Sequence, residues 1–213
     1  MRGFFLSLLL RAAALPLPPN VPEQIHLHLT GTAGEMAVDF ASAFPGAAVV
    51  WGGSPSNLSF SSPATTVNVL LNGFNATLST AVMAGLAPNA TYWYTVGDAR
   101  NGFSALYSFT SQPAREGGAV FCIFADLGLN NAVALPSLVA GVEQGRYDYV
   151  VLAGDQSYDF DSQDSQVGNA YMNAIQPIAA RLPFMVAPGN HVRRRCLLLP
   201  LAAILSSPLF PPL

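Results

Sequence analysis

The chain has 213 residues, 51% of them apolar and only 10% charged, so material for a buried core is plentiful. Its formal net charge is −3, and its nine basic residues are all arginine. No basic face covers any region that reads as folded, which excludes nucleic-acid binding as a function class. Two cysteines do not make a disulfide framework; Cys122 reads as a core residue of an apolar strand, and Cys196 lies in an irregular tail.

The first predicted element is a leader. In "MRGFFLSLLLRAAALPLPPN", Arg2 precedes an apolar run from Phe4 to Leu10, and Ala12 and Ala14 supply small residues for cleavage. Residues 1–14 therefore read as a secretory signal peptide, the plain alternative being a disordered terminus. The run is too short for a membrane span, which needs about 20 residues. Three Asn-x-Ser/Thr triplets follow, at Asn57, Asn75 and Asn89, and predict glycosylation of a secreted, vacuolar or extracellular chain.

Residues 20–113 are strand-like. "QIHLHLTG" alternates, with Ile25, Leu27 and Leu29 on one face and His26, His28 and Thr30 on the other, which reads as solvated. "EMAVDFAS", "TTVNVLLNGF", "ATLSTAVMAGL", "ATYWYTVGD" and "ALYSFTS" continue the series, separated by Pro-Gly, Gly-Gly and Asn-Gly turns. Many short strands with turns between them predict a β-sandwich. The stretch "GLAPNATYWYTVGD", with Tyr-x-Tyr entering a strand after a Pro turn, resembles fibronectin type III modules. "SQPAREGG" reads as a linker.

Residues 118–191 change period. "AVFCIFAD" is a continuous apolar run, as expected of a parallel strand covered on both faces. "ALPSLVAGVEQG" has helical spacing through Leu135, Leu138, Val139 and Val142, "YDYVVLAGD" is a second strand, "SQVGNAYMNAIQPIAARL" a second helix, and "PFMVAPGN" a third strand. The order β-α-β-α-β predicts parallel strands with right-handed crossovers. Residues 192–213 carry three arginines and then an uncharged, proline-studded apolar run without a period, and read as an aberrant tail.

The three apolar strands end on Asp126, on Asp155, and on Asn190 with His191. In a parallel sheet these ends share one rim, where ligands bind. Any one of them alone is an ordinary turn or cap residue. Together with Tyr158 they gather two carboxylates, a phenol, an amide and an imidazole, which are donors for hard or borderline metal ions.

In these residues the chain resembles a purple acid phosphatase of the plant-like, two-domain type, a metallophosphoesterase family. "GDQSY" matches that family's GDxxY, "GNH" matches outright, and "ADLG" matches GDxG with Ala125 in place of the first glycine. The resemblance implies a fibronectin-like domain followed by the first β-α-β-α-β half of an α/β metallophosphoesterase domain. It implies a binuclear centre of Fe(III) and a divalent metal (Zn, Mn or Fe), with Asp126 and Tyr158 on the ferric ion, Asp155 bridging, and Asn190 on the divalent ion. His191 would contact the phosphate in catalysis. The implied reaction is hydrolysis of a phosphate monoester by hydroxide held on the metals. The family's VxxH and GHxH motifs are absent, the only other histidines being His26 and His28. The expectation is therefore a C-terminally truncated chain with little or no activity of its own. The alternative is a non-catalytic secreted glycoprotein acting through the sandwich. Oligomeric state and physiological substrate are not legible.

Overall fold

The computed structural model describes residues 21–71, 74–112 and 118–191. The expected leader, the centre of the expected linker and the tail from Val192 lie outside the described residues, as does the side chain of Asn75. The first part is built from β1 (Glu23–His28), β2 (Met36–Ser42), β3 (Ala48–Gly52), β4 (Phe60–Pro63), β5 (Thr65–Leu71), β6 (Phe74–Met83), β7 (Thr91–Asp98), β8 (Gly102–Phe103) and β9 (Tyr107–Thr110). One antiparallel sheet runs β1-β2-β6-β5; the other runs β4-β3-β7-β8, with β9 also paired to β7. Alternation along each strand sends Ile25, Leu27, Met36, Val38, Phe40, Val49, Tyr94 and Val96 into one shared core. Strands β3 and β4 are additions to the sequence reading. "AVVWG" is five residues between two turn signals, too short for a period to declare itself.

The second part is β10 (Phe121–Phe124), α1 (Leu135–Glu143), β11 (Tyr149–Ala153), α2 (Gln166–Ala179) and β12 (Phe184–Ala187). All three strands are parallel, in the order β10-β11-β12. Both crossovers step the same way across the sheet, so right-handed connections place both helices on one face. Val142, Tyr171, Met172, Ile175 and Ile178 from the helices bury Val150, Leu152, Phe184 and Val186 from the strands, with Cys122 packed alongside. Pro177 sits within the last turn of α2 without ending it. The expectation that the first strand is covered on both faces is corrected here. Phe121 and Ile123 are 54% and 67% exposed, because neither α1 nor α2 lies on their side of the sheet.

A second correction concerns β1. His26 and His28 do not form a solvated face; they are 3% and 6% exposed. Alternation identifies two faces of a strand but not what covers the second, and here the cover comes from α2 and β12, well over a hundred residues on. Ile25 N donates to Gln176 Oε1 (3.0 Å), Gln176 Nε2 donates to Tyr107 Oη (2.8 Å), and Asn173 Nδ2 donates to Glu23 Oε2 (3.1 Å). Gln24 Nε2 also donates to Asn169 Oδ1. Tyr94, fully buried in the sandwich core, donates its hydroxyl to Ala180 O at 2.7 Å. The two parts therefore share a continuous seam.

The seam holds two histidines with opposite titration behaviour. His26 Nε2 lies 2.6 Å from Phe184 O. A carbonyl only accepts, so Nε2 carries the proton and the buried Nδ1 is left bare, without a partner. Burial holds the His26 pKa below its ordinary 6.5 despite the pull of Asp39 and the Phe184 carbonyl. Burial also opposes charge on His28, but Asp39, with Oδ2 3.2 Å from Nε2, outweighs it and the net shift is upward. Asp39 is itself fixed by Thr80 Oγ1, which donates to its Oδ1 at 2.5 Å.

The signs follow from linkage. Below pH 6.5 the unfolded chain binds protons that folded His26 refuses, so His26 costs stability as pH falls from 6.5 toward its lowered folded value. His28 contributes stability that is complete below 6.5 and is lost as pH rises through its raised folded value. Urea midpoints measured from about pH 5 to about pH 8, the span over which histidines titrate, should show this. His26→Gln should flatten the loss of stability on acidification, and His28→Gln should steepen it. Parallel shifts in both variants would contradict the assignment.

Candidate metal centre

Each strand of the parallel sheet delivers its functional group at the carboxyl rim. Asp126 lies two residues beyond β10, Asp155 two beyond β11, and Asn190 and His191 three and four beyond β12. The turns that follow are conformationally costly. Asp126 has φ +57°, Tyr158 +39° and Asp159 +59°, the left-handed region that non-glycine residues avoid. Asp tolerates it; a bulky Tyr does so only when its surroundings hold it there, and such outliers cluster at functional sites. Gly154 takes φ +134°, a conformation open to glycine alone at little cost, and lets the chain leave β11 directly into Asp155.

The loops are tied to one another. Gly128 N donates to Gln156 O at 2.7 Å, joining the β10 loop to the β11 loop. Tyr158 Oη donates to Asp126 Oδ1 at 2.5 Å. His191 N donates to Asp155 Oδ1 at 2.7 Å, joining the β12 loop to the β11 loop, and the His191 ring lies edge-on to Tyr158 with centroids 5.0 Å apart. The hydrogen bond to Asp126, then partial burial, then the charges of Asp126 and Asp155 push the Tyr158 pKa up to about 12. The phenol is therefore a proton donor here, and it lies within the electrostatic reach of both carboxylates.

Of the residues singled out from sequence, Asp126, Asp155, Tyr158 and His191 are brought together by these contacts. Asn190 sits in the same loop, between Gly189 and His191, with an exposed side chain. Asn57 and Asn89 are exposed in the sandwich part of the chain. Two contributors, Gln156 and Asn131, and the backbone role of His191 went unnoticed in the sequence. His191 acts through its backbone N–H, Gln156 through its backbone carbonyl, and Asn131 closes over Gly128, where an added Cβ would also meet the Tyr158 ring at 3.7 Å. Backbone roles leave no residue-type signal. The Gly128–Asn131 spacing in "GLNN" was the one available hint.

The chemistry of the donor set bears on an iron centre. Two carboxylates and a phenol are hard oxygen donors, suited to a ferric ion. Among the described residues no group of three or more His, Cys, Asp or Glu forms a ready cluster, so the fit rests on the phenol hydrogen-bonded to Asp126 and on Asp155 in the neighbouring loop.

Comparison with known proteins gives the family. The profile for the purple acid phosphatase N-terminal domain matches residues 22–111. Human acid phosphatase type 7 is 34% identical over 190 residues, and the match covers 85% of this chain. The chain belongs to the purple acid phosphatase family. A probable purple acid phosphatase of Arabidopsis thaliana is 27% identical over 81% of the chain. A purple acid phosphatase from yellow lupin seeds superposes with a TM-score of 0.71 over 83% of the chain at 24% identity, which speaks to the fold. The chain spans 42% of the length of the human relative and 36% of the lupin chain. The expected architecture, antiparallel sheets followed by a parallel β-α-β-α-β segment, is the one observed. Among the described residues, no helix is long and apolar enough to cross a membrane.

Proposed function

We propose that the rim of the parallel sheet is the first part of a binuclear phosphatase centre, and that the protein acts in hydrolysis of phosphate monoesters. The observation that carries this is the Tyr158–Asp126 hydrogen bond at the carboxyl rim, with Asp155 at the end of the adjacent strand within electrostatic reach of the phenol, in a chain of this family. Asp126 and Tyr158 would hold a ferric ion, Asp155 would lie between two ions, and Asn190 would face a divalent one (Zn, Mn or Fe). The chemistry such a pair supplies when bound is acidification of water and polarisation of a phosphoryl oxygen. The chain's own part is placement. The His191 backbone N–H fixes one oxygen of Asp155. Asp126 holds the Tyr158 proton that must leave before the phenol can serve as an anionic donor. The His191 imidazole, exposed beside Tyr158, would donate to a phosphate oxygen.

One imidazole at the rim is few for this chemistry. The sequence has three histidines, and two of them are committed to the seam. Losing even an outer partner of a metal ligand typically costs about 10–100-fold in affinity or activity. The 213-residue chain, supplied with Fe and Zn and assayed on an aryl phosphate at acidic pH, is thus expected to turn over far more slowly than a full-length family member. Turnover near a full-length rate, abolished by Asp155→Ala, would show that the rim needs no further imidazoles. A second reading, a non-catalytic secreted glycoprotein, is favoured by the exposure of Asn57 and Asn89. It predicts a mass shift on enzymatic deglycosylation of the secreted product and no metal-dependent property.

A further inference from the structure

The seam between the two parts is closed by side chains, and one of them titrates. In the parallel sheet Val150 N donates to Pro183 O, so the next carbonyl along β12, Phe184 O, points away from β11 to the strand's outer edge. There His26 Nε2 meets it at 2.6 Å, with the imidazole edge-on to the Phe184 ring at 5.4 Å. His26 thus pairs a carbonyl that an edge strand would otherwise leave open. β1 reaches across because its ladder with β2 is irregular between Glu23 and His26, with Gln24 at φ +60°. Within that irregularity Ile25 N donates to Gln176 Oε1 of α2, and regular pairing resumes at His26 with Asp39, Leu27 with Val38 and His28 with Ala37.

We propose that His26 is an acid-operated latch between the two parts: neutral, it clasps β12 to β1, and protonated at Nδ1 it lets the seam part locally while both sheets stay folded. The added proton must go to Nδ1, because Nε2 already gives its own to Phe184 O, and Nδ1 is buried without a partner among the described residues. Asp39 on β2 is the carboxylate that acts on His26, but it is already paired with His28 and held by Thr80. His28 takes a proton more readily and then repels a second cation. No other side chain bonded across the seam supplies a counter-charge. α2 turns Asn169, Asn173 and Gln176 toward β1, Glu23 is bonded to Asn173, and β12 offers a carbonyl and a phenyl ring. Arg181, beyond α2, acts on Tyr94 and Tyr107. A buried cation without a counter-charge is relieved by reaching water. The other ties to β1 are polar bonds that water can replace. His28 and Asp39 both belong to the sandwich, so their pair survives opening. Because β12 runs into the loop of Asn190 and His191, whose N–H holds Asp155, opening also loosens the rim. The latch needs neither bound metal nor phosphatase activity.

The test is amide hydrogen exchange followed by NMR in the full 213-residue chain, from about pH 7 to about pH 5, corrected for the intrinsic pH dependence of exchange. The Ile25 amide, bonded across the seam, reports opening of the seam, and the amides of the β2–β6 ladder report unfolding of the sandwich. An opening that lets one histidine take a proton grows by up to about tenfold per pH unit below 6.5. The expected result is that Ile25 is less protected than the ladder throughout, and that its protection falls at close to this rate on acidification. His26→Gln, whose amide can still donate to Phe184 O but cannot titrate, should remove that pH dependence. Protection of Ile25 equal to that of the ladder would show that the seam parts only when the sandwich unfolds, and would overturn the proposal. Protection of Ile25 that does not change with pH would also overturn it, and both outcomes are read in the unaltered chain. An unchanged pH dependence in a folded His26→Gln chain would overturn it too.

Discussion

Replacing Gly189 by alanine is expected to dismantle the rim while leaving the sandwich folded. A Cβ at position 189 would fall well inside contact distance of Asp155, against its Oδ1, its Cγ and its backbone N. A flexible carboxylate tip could swing away from a methyl group, but this one is held by the His191 N–H, and the backbone N cannot move without shifting the whole β11 loop. Overpacking of this kind costs about 1–3 kcal/mol or more. The displaced groups are the two that join β11 to β12, so Fe(III) affinity should fall by at least the roughly 10–100-fold typical of a disturbed ligand partner. Equilibrium metal titration of the Gly189→Ala chain checks this, with circular dichroism as the control for the fold. Gly154 makes a useful contrast. Its added Cβ would meet only Ala125 Cβ, at an ordinary 3.6 Å, and its requirement comes from φ +134°. The two glycines are needed for different reasons, one for close approach and one for backbone conformation.

Tyr94→Ala is expected to have the largest effect on stability. The ring is fully buried, sits 5.8 Å from Phe109 and 5.9 Å from Tyr107 between ring centroids, and sends its hydroxyl to Ala180 O at the end of α2. Truncating a buried aromatic costs about 3–5 kcal/mol, and the stranded carbonyl adds about 1–3 kcal/mol. Against a total stability of about 5–15 kcal/mol, this would leave the chain close to unfolded. Tyr94→Phe keeps the ring and loses only the hydroxyl, so its cost should be confined to the hydrogen bond. Urea unfolding of both variants separates the two contributions. Equal, small effects would show that the seam contributes little. A large loss in Tyr94→Ala, with α2 amides exchanging faster, would show that the sandwich supports the helix that links the Asp155 loop to the Gly189 loop.

The parallel unit was the most legible part of the chain. Its strands are uninterrupted apolar runs ending on Ala-Asp, Gly-Asp and Gly-Asn, and chain order alone then puts Asp126, Asp155 and Asn190 on one rim. The sandwich was legible where turns bounded long alternating strands, and illegible at β3 and β4, whose four or five residues carry too little pattern. The polar face of β1 misled for a definite reason. His26 and His28 alternate with Ile25 and Leu27 as solvent-facing residues do, and only the distant Gln176 and Phe184 show that the face is a seam. The ties between rim loops were out of reach as well, since Gly128 N to Gln156 O and His191 N to Asp155 involve backbone groups that every residue type possesses.

In the proposed centre, Asp126, Tyr158 and Asp155 form one metal-binding group. Fe(III) titrated into the 213-residue chain and followed by visible absorption tests that most directly, because a phenolate on ferric iron absorbs in the visible and a carboxylate does not. The predicted result is a saturable visible band that Tyr158→Phe removes and Asp155→Asn weakens, with both variants folded by circular dichroism. A band that persists in Tyr158→Phe, or no band in the unaltered chain at saturating iron, would contradict it.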